Sequence, residues 1–323
     1  MTGRFFLRRI LQAIPVLWGV LTLLFLLLHA MPGDPSNYFF NPELPADLAD
    51  RVRVNLGLDQ PLWVQYFRWL ESALRFDFQY SFITGRPVAE MLGEALPRTV
   101  ALAGASIFLA FLIGVPAGAF AALRRGSLWD RLADGASVCV YSMPVFFLGL
   151  LLILFFASLL PLFPASGTAS VNADLWPAWK RGLDFFWHLA LPALTLGLAN
   201  AAAVLRFTRE GFLDSFAQDF VRTARAKGLG PSVVLWRHAF RGALLSVFTL
   251  LGLLLPMLFS GAVLVETLFG WHGMGFLIVE AILQRDYPVV LGSTLFLTAL
   301  VIAGSLLADL LYRAVDPRIE AAA

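Results

Sequence analysis

Residues able to do chemistry are scarce in this chain, and its cations are densest in residues 219–245, DFVRTARAKGLGPSVVLWRHAFRGALL. Arg222, Arg225, Lys227, Arg237 and Arg241 stand there against a single acid, Asp219. Val221, Ala224 and Gly228 recur at three- and four-residue spacing, which puts small residues on one helical face and Arg222 and Arg225 on another. Gly228-Leu229-Gly230-Pro231 then ends one helix and begins the next, because glycine suits a helix end and proline a first helical position. The expected shape is a short helix, a tight turn and a second helix, with the small-residue face open to close approach by another protein. A plainer reading stands beside it, in which the basic residues only fix the side on which a loop lies.

The remaining inventory excludes more than it offers. No Gly-Lys dipeptide exists, so the phosphate-cradling loop G-x-x-x-x-G-K-[ST] is absent. Neither H-E-x-x-H nor G-x-S-x-G occurs, and the histidines at 29, 188, 238 and 272 are too dispersed for a zinc cluster. Coupling to an ion gradient requires ionisable residues in mid-span. Here Glu266, Glu280, Asp286, His29 and His188 fall at the outer edges of the apolar runs, and a lone interfacial histidine reads as structural. Asp309 lies four residues from Arg313 at an inner edge, the spacing of a helix pair. A chain of this kind that moves a solute needs a motor from outside.

The elements that hold these residues follow from composition. The chain is 59% hydrophobic and 14% charged, against roughly 45–50% and 25% for soluble domains, and its mean hydropathy is +0.76. It reads as an integral membrane protein. One cysteine, Cys139, rules out an internal disulfide and is expected as a buried thiol. Arginine supplies nearly all the positive charge, with no basic domain of nucleic-acid-binding type.

Apolar runs at 10–30, 99–123, 135–160, 185–205, 242–265 and 287–308 are each long enough to cross a bilayer. Pro144, Pro192 and Pro256 interrupt three of them, and a kink is expected at Pro144. Small residues (Gly104, Ala105, Ser106, Gly114, Gly118, Gly252, Ser260, Gly261) permit close helix packing. Residues 31–97, with seven prolines, read as an outer segment of short surface helices, where Trp63, Tyr66, Phe67 and Trp69 suit an interfacial belt. Gly270, Gly273 and Gly275 argue against continuous helix between the fifth and sixth spans. The expected fold is all-α and polytopic, with six transmembrane helices and both termini cytoplasmic. That orientation places 15 of the 24 basic residues inside but only 8 of the 22 acids, as the positive-inside rule requires. The organisation is a tail with the first span (1–30), the outer segment (31–97), a core of five spans (98–313) containing the inner loop 211–241, and a tail (314–323).

Several motifs resemble one family, the permease subunits of bacterial ATP-binding-cassette importers for di- and oligopeptides and nickel. Met31-Pro32-Gly33-Asp34-Pro35 looks like its M-P-G-D-P signature. Leu56-Gly57-Leu58-Asp59 with Pro61, Tyr141-Ser142-Met143-Pro144, Leu191-Pro192-Ala193, Arg285-Asp286-Tyr287-Pro288 and Val315-Asp316-Pro317-Arg318 are similar at their expected places. The most specific piece, Arg222-Thr223-Ala224-Arg225-Ala226-Lys227-Gly228 followed by His238-Ala239-Phe240-Arg241, looks like the family's cytoplasmic E-A-A-x-x-x-G loop. Arg222 replaces the acid of the general loop, Gly242 and Ser246 stand where Asn and Pro are expected, and His272 where an outer-edge motif has Pro.

The resemblance implies a type I importer permease fold. It implies that the loop seats on an ATPase subunit through Arg222, Thr223, Ala224, Arg225, Ala226, Lys227, Gly228, Gly230 and Pro231. It implies as partners a second homologous permease, two ATP-binding subunits and an extracytoplasmic solute-binding protein, in a bacterial inner membrane. The chain then has no cofactor or metal of its own and no catalytic residue, ATP and Mg being bound by the ATPases. Di- or oligopeptides are the expected substrate, with nickel, glutathione-like thiols and oligosaccharides as alternatives. The rival reading from another class is a channel or intramembrane enzyme that needs no motor.

Overall fold

A computed structural model describes residues 2–30, 59–75, 77–230, 233–234, 240, 250–251, 254 and 262–315, without the side chains of 2–8, 10, 28, 73, 225, 309 and 311–315. The side chains of the Asp309–Arg313 pair are therefore not described, and Pro231, Pro256, His238, most of the expected fifth span and the M-P-G-D-P stretch lie outside the described residues. The helices are α1 (Thr2–Ala30), α2 (Leu62–Leu74), α3 (Val88–Leu123), α4 (Leu128–Ser142), α5 (Val145–Ile153), α6 (Ala178–Ala217), α7 (Asp219–Ala226), α8 (Met274–Leu283) and α9 (Tyr287–Val315). Three of these, α3, α6 and α9, are long and apolar enough to cross a membrane, and α4 with α5 makes a fourth, broken span. α1 contributes an apolar stretch at Leu11–Leu27. Among the described residues no β-strand occurs beyond one isolated bridge, Tyr80 to Pro87.

The chain divides into two units, 1–97 with 273–299 and 98–272 with 300–323. In the first, Phe78, Val88, Leu92, Met274, Tyr287 and Val290 form the core. Asp286 ties the turn before α3 to the start of α9, accepting from the Ser81 hydroxyl at 2.5 Å and from the Phe82 amide at 3.0 Å. α2 rests on α1 through Thr22 and Tyr66, whose hydroxyls are 2.8 Å apart, and through His29 and Gln65 at 3.2 Å.

In the second unit α6 is the central element, with 67% of its apolar window buried. α3 crosses it at glycines. A Cβ on Gly114 would stand 2.6 Å from the Val204 side chain, and one on Gly118 would collide with the Leu205 carbonyl oxygen. Gly197 of α6 meets Leu109 of α3 in the same way, at 2.9 Å. In lipid, where apolar burial drives helix association little, such backbone approach and its dispersion contacts hold helices together. Gly104, by contrast, faces open space.

Three local features differ from the sequence reading. The proline at 144 does not kink a span but ends one helix and begins another, with α4 and the α5 segment bent by 103°. Met143 is extended (φ −85°, ψ 130°), the conformation forced on a residue before proline, and Pro144 takes the N-cap of α5. α3 begins at Val88, well before the uncharged run, because its first turns carry Glu90 and Glu94 on an exposed face. Cys139 is exposed on α4 rather than buried. Gly270 (φ +55°) does break the chain before α8, but Gly275 lies inside that helix.

Gly118→Ala is expected to destabilise the chain by about 1–3 kcal/mol, the usual range for overpacking, because the added methyl meets backbone. Gly104→Ala is expected to be neutral or slightly stabilising. Thermal unfolding of the two variants in detergent checks the contrast.

Candidate functional site

The basic stretch folds as α7, an eight-residue helix joined to the 40-residue α6 by one extended residue, Gln218 (ψ 149°). Asp219 occupies the first turn of α7, where a negative charge suits the helix dipole. Thr223 Oγ1 donates to the Asp219 carbonyl at 2.9 Å. At the other end the Leu229 amide donates to the Ala224 carbonyl at 3.4 Å, while Gly228 takes φ +76°. That is the Schellman pattern, with glycine in the left-handed position that ends the helix. The turn is where the Gly-Leu-Gly sequence places it.

The two faces of α7 are distributed differently from the sequence expectation. Val221 (0% exposed) and Ala224 (4%) point into the protein. They pack with Ala119 and Ala122 at the end of α3, Phe212 of α6 and Val234. The small-residue face is thus used by this chain itself, and small side chains are needed there because α3 and α6 already approach closely. Arg222, Thr223, Ala226, Lys227, Gly228, Leu229 and Gly230 are exposed. Phe220 and Leu229 add apolar surface beside them, at 47% and 38% exposure. Arg222 reaches Asp219 only at 3.5 Å, with both side chains in solvent, a pair of little energetic weight. A Cβ on Gly228 would meet nothing within 4 Å, so this turn too faces outward. The outward surface is cationic and combines small residues with two apolar ones. Periodicity alone carried no signal for which face is turned outward.

α7 is held by a rigid support. Arg209 of α6 clamps Asp130 of α4 with two hydrogen bonds, Nε to Oδ1 at 2.6 Å and a terminal nitrogen to Oδ2 at 3.0 Å. Asp130 also accepts from the Gly126 amide at 2.9 Å. Three turns of side chains are thereby fixed, since Arg206 adds bonds to Ser137 at 3.1 Å and Asp134 at 3.3 Å. A bidentate guanidinium–carboxylate pair is both strong and directional.

At the opposite end of this unit lies a second polar cluster that sequence reasoning placed at an edge. Glu266 is 0% exposed and accepts from Thr99 Oγ1 at 2.7 Å. Trp271 Nε1 donates to the Arg98 carbonyl at 3.0 Å, and the Arg98 guanidinium donates to the His272 carbonyl at 3.1 Å. His188 is buried, with Nδ1 2.9 Å from the Asp184 carbonyl oxygen. These bonds satisfy the polar groups internally and describe a sealed packing contact. Among the described residues no group of three His, Cys, Asp or Glu is placed to hold a metal ion.

Long apolar helices joined at glycine crossings, with one short cationic helix beside them, define a multi-pass α-helical membrane protein. The chain belongs to a family described as binding-protein-dependent transport system inner membrane component, which matches residues 114–321, with its N-terminal companion matching residues 2–103. It is 38% identical to the oligopeptide transport system permease protein AppB of Bacillus subtilis (strain 168), over 98% of this chain and 99% of that one. It is equally 38% identical to the glutathione transport system permease protein GsiC of Escherichia coli (strain K12), over 97% and 98%. Among solved structures it shares the fold of a chain of the inward-facing MetNI methionine ABC transporter, with a TM-score of 0.56 at 19% identity, covering 71% of this chain and 98% of that one. The chain is accordingly a permease subunit of an ABC-type importer, multi-pass in the membrane, and the family's role is transport rather than ATP hydrolysis.

Ala224→Leu is expected to lower stability by about 1–3 kcal/mol through overpacking against α3 and α6, whereas Lys227→Ala is expected to change it by no more than about 0.5 kcal/mol, as for surface positions. Thermal midpoints of the purified variants measure the difference.

Proposed function

We propose that this chain imports di- or oligopeptides as one half of the translocation pathway of an ATP-driven importer, and that α7 with the turn after it is the docking element for an ATPase subunit. The observation that carries the reading is the two-sidedness of α7. Its inner face is locked to α3 and α6, while Arg222, Thr223, Ala226, Lys227, Gly228 and Gly230 are presented outward. A helix so mounted transmits a push from a bound partner to two membrane-spanning helices as a rigid body. Ala224 then acts from inside, as the contact that fastens α7 to those helices. Arg225 and Pro231 belong to the same motif. The missing phosphate-binding loop supports a division of labour in which the partners bind ATP and Mg.

The complete assembly in this proposal has a second, homologous permease, two ATP-binding subunits and an extracytoplasmic solute-binding protein. The chain spans a bacterial inner membrane six times with both termini inside, an orientation that the distribution of basic residues supports. The relatives named for oligopeptides and glutathione both favour a peptide-like solute, and no cluster of metal-binding side chains in the described residues favours nickel.

The test is Ala226→Trp, which places bulk on the outward face and leaves the inner face untouched. In the reconstituted transporter, peptide uptake is expected to fall by at least about tenfold, within the usual range of coupling energies, while the thermal midpoint of the chain stays unchanged. Normal peptide-stimulated ATP hydrolysis and uptake in a folded Ala226→Trp variant would refute the docking role.

A further inference from the structure

Away from α7, the second unit has an apolar groove of about 350 Å³ between α3, α4 and α6. Ala117 and Phe120 of α3, Trp129 and Ala136 of α4, and Leu198 and Ala202 of α6 line it. Alanines form its floor, and Phe120 and Trp129, in edge-to-face contact at 6.5 Å between ring centres, form its rim at one end. That end is the cationic end. The Arg124 guanidinium lies over the Phe120 ring, 4.5 Å from its centre, and Arg125 follows it in the loop to α4, both exposed. The nearby acids are already engaged, Asp130 by Arg209 and Asp134 by Arg206. Among the described residues, neither Arg124 nor Arg125 makes an ion pair.

We infer that this groove is a binding site for an anionic phospholipid, with an acyl chain along the alanine floor and the phosphate between Arg124 and Arg125. The groove is apolar and belongs to helices that cross the membrane, which suits a hydrocarbon chain. The surplus charge sits only at its end, where a headgroup would lie, and arginine forks match phosphate oxygens. Basic pockets at the cytoplasmic ends of spanning helices attract anionic headgroups on the same principle. The occupied site would fill the space between α3, α4 and α6 just beyond the Arg209–Asp130 clamp, so the lipid would stiffen the support on which α7 is mounted.

The test uses the full-length chain reconstituted in phosphatidylcholine vesicles. The fluorescence of Trp129 is obtained by difference against Trp129→Phe, and lipids with brominated acyl chains are titrated in as quenchers. Brominated phosphatidylglycerol is expected to quench Trp129 at a lower mole fraction than brominated phosphatidylcholine does. Arg124→Gln with Arg125→Gln is expected to raise the mole fraction needed by about fivefold for each arginine lost, and Arg124→Lys with Arg125→Lys is expected to keep most of the preference. Equal quenching by both lipids, which is contact with bulk bilayer only, overturns the inference. So does a phosphatidylglycerol preference that survives loss of both arginines, and so does protection of Trp129 from both lipids by a protein helix seated in the groove.

Discussion

The backbone contact between α3 and α6 is the constraint on which the rest of the second unit depends. Gly114 and Gly118, one turn apart, allow α3 to lie against Val204 and the Leu205 carbonyl with no room for a methyl group. In a bilayer, where neighbouring lipid is as apolar as a leucine side chain, fit of this kind replaces the solvent-driven burial that organises soluble cores. Because the two helices are so close, the ends that continue past the crossing form one surface, made by Ala119 and Ala122 of α3 and Phe212 of α6. Val221 and Ala224 close onto that surface. Larger side chains at any of these positions would lift α7 away from the helices it packs against.

The Arg209–Asp130 clamp complements the crossing. Packing sets how near the helices lie, and the bidentate pair sets the register of α4 against α6. Asp130 is also held by the Gly126 amide in the loop that joins α3 to α4, so two helices and one loop share a single fixed carboxylate. The proposed coupling role of α7 needs such stiffness. Force applied to a short helix on a soft mounting would be absorbed locally rather than passed to the spans.

Much of this was legible in the sequence, and the parts that were not share a cause. Apolar runs revealed the spans of α3, of α4 with α5, of α6 and of α9, and the Gly228-Leu229-Gly230 turn revealed the end of α7, because both signals are local. The small-residue periodicity at 221, 224 and 228 correctly implied a close contact, but its partner turned out to be this chain for 221 and 224. Which face of a helix is buried depends on neighbours distant in sequence. The same holds for glycine, since Gly104 and Gly114 look alike in sequence yet only Gly114 stands at a crossing. Pro144 signalled a disturbance, but whether a proline kinks a helix or ends it is decided by the residue before it, and Met143 goes extended. Cys139 in an apolar run read as buried, whereas in a membrane protein apolar surroundings include lipid-facing surface. Glu266 read as an edge residue, and its buried bond to Thr99 joins positions 167 apart in the chain.

α7 turns its 221/224 face to its own helices, and its 223/227 face is the one proposed to meet an ATPase subunit. Site-directed cross-linking tests it most directly, with the exposed native thiol first removed as Cys139→Ser. In the assembled transporter, cysteines at 223 and 227 are expected to cross-link to the ATPase subunit, and cysteines at 221 and 224 are not. Cross-links formed from 221 or 224 instead, or none from 223 and 227, would contradict the account.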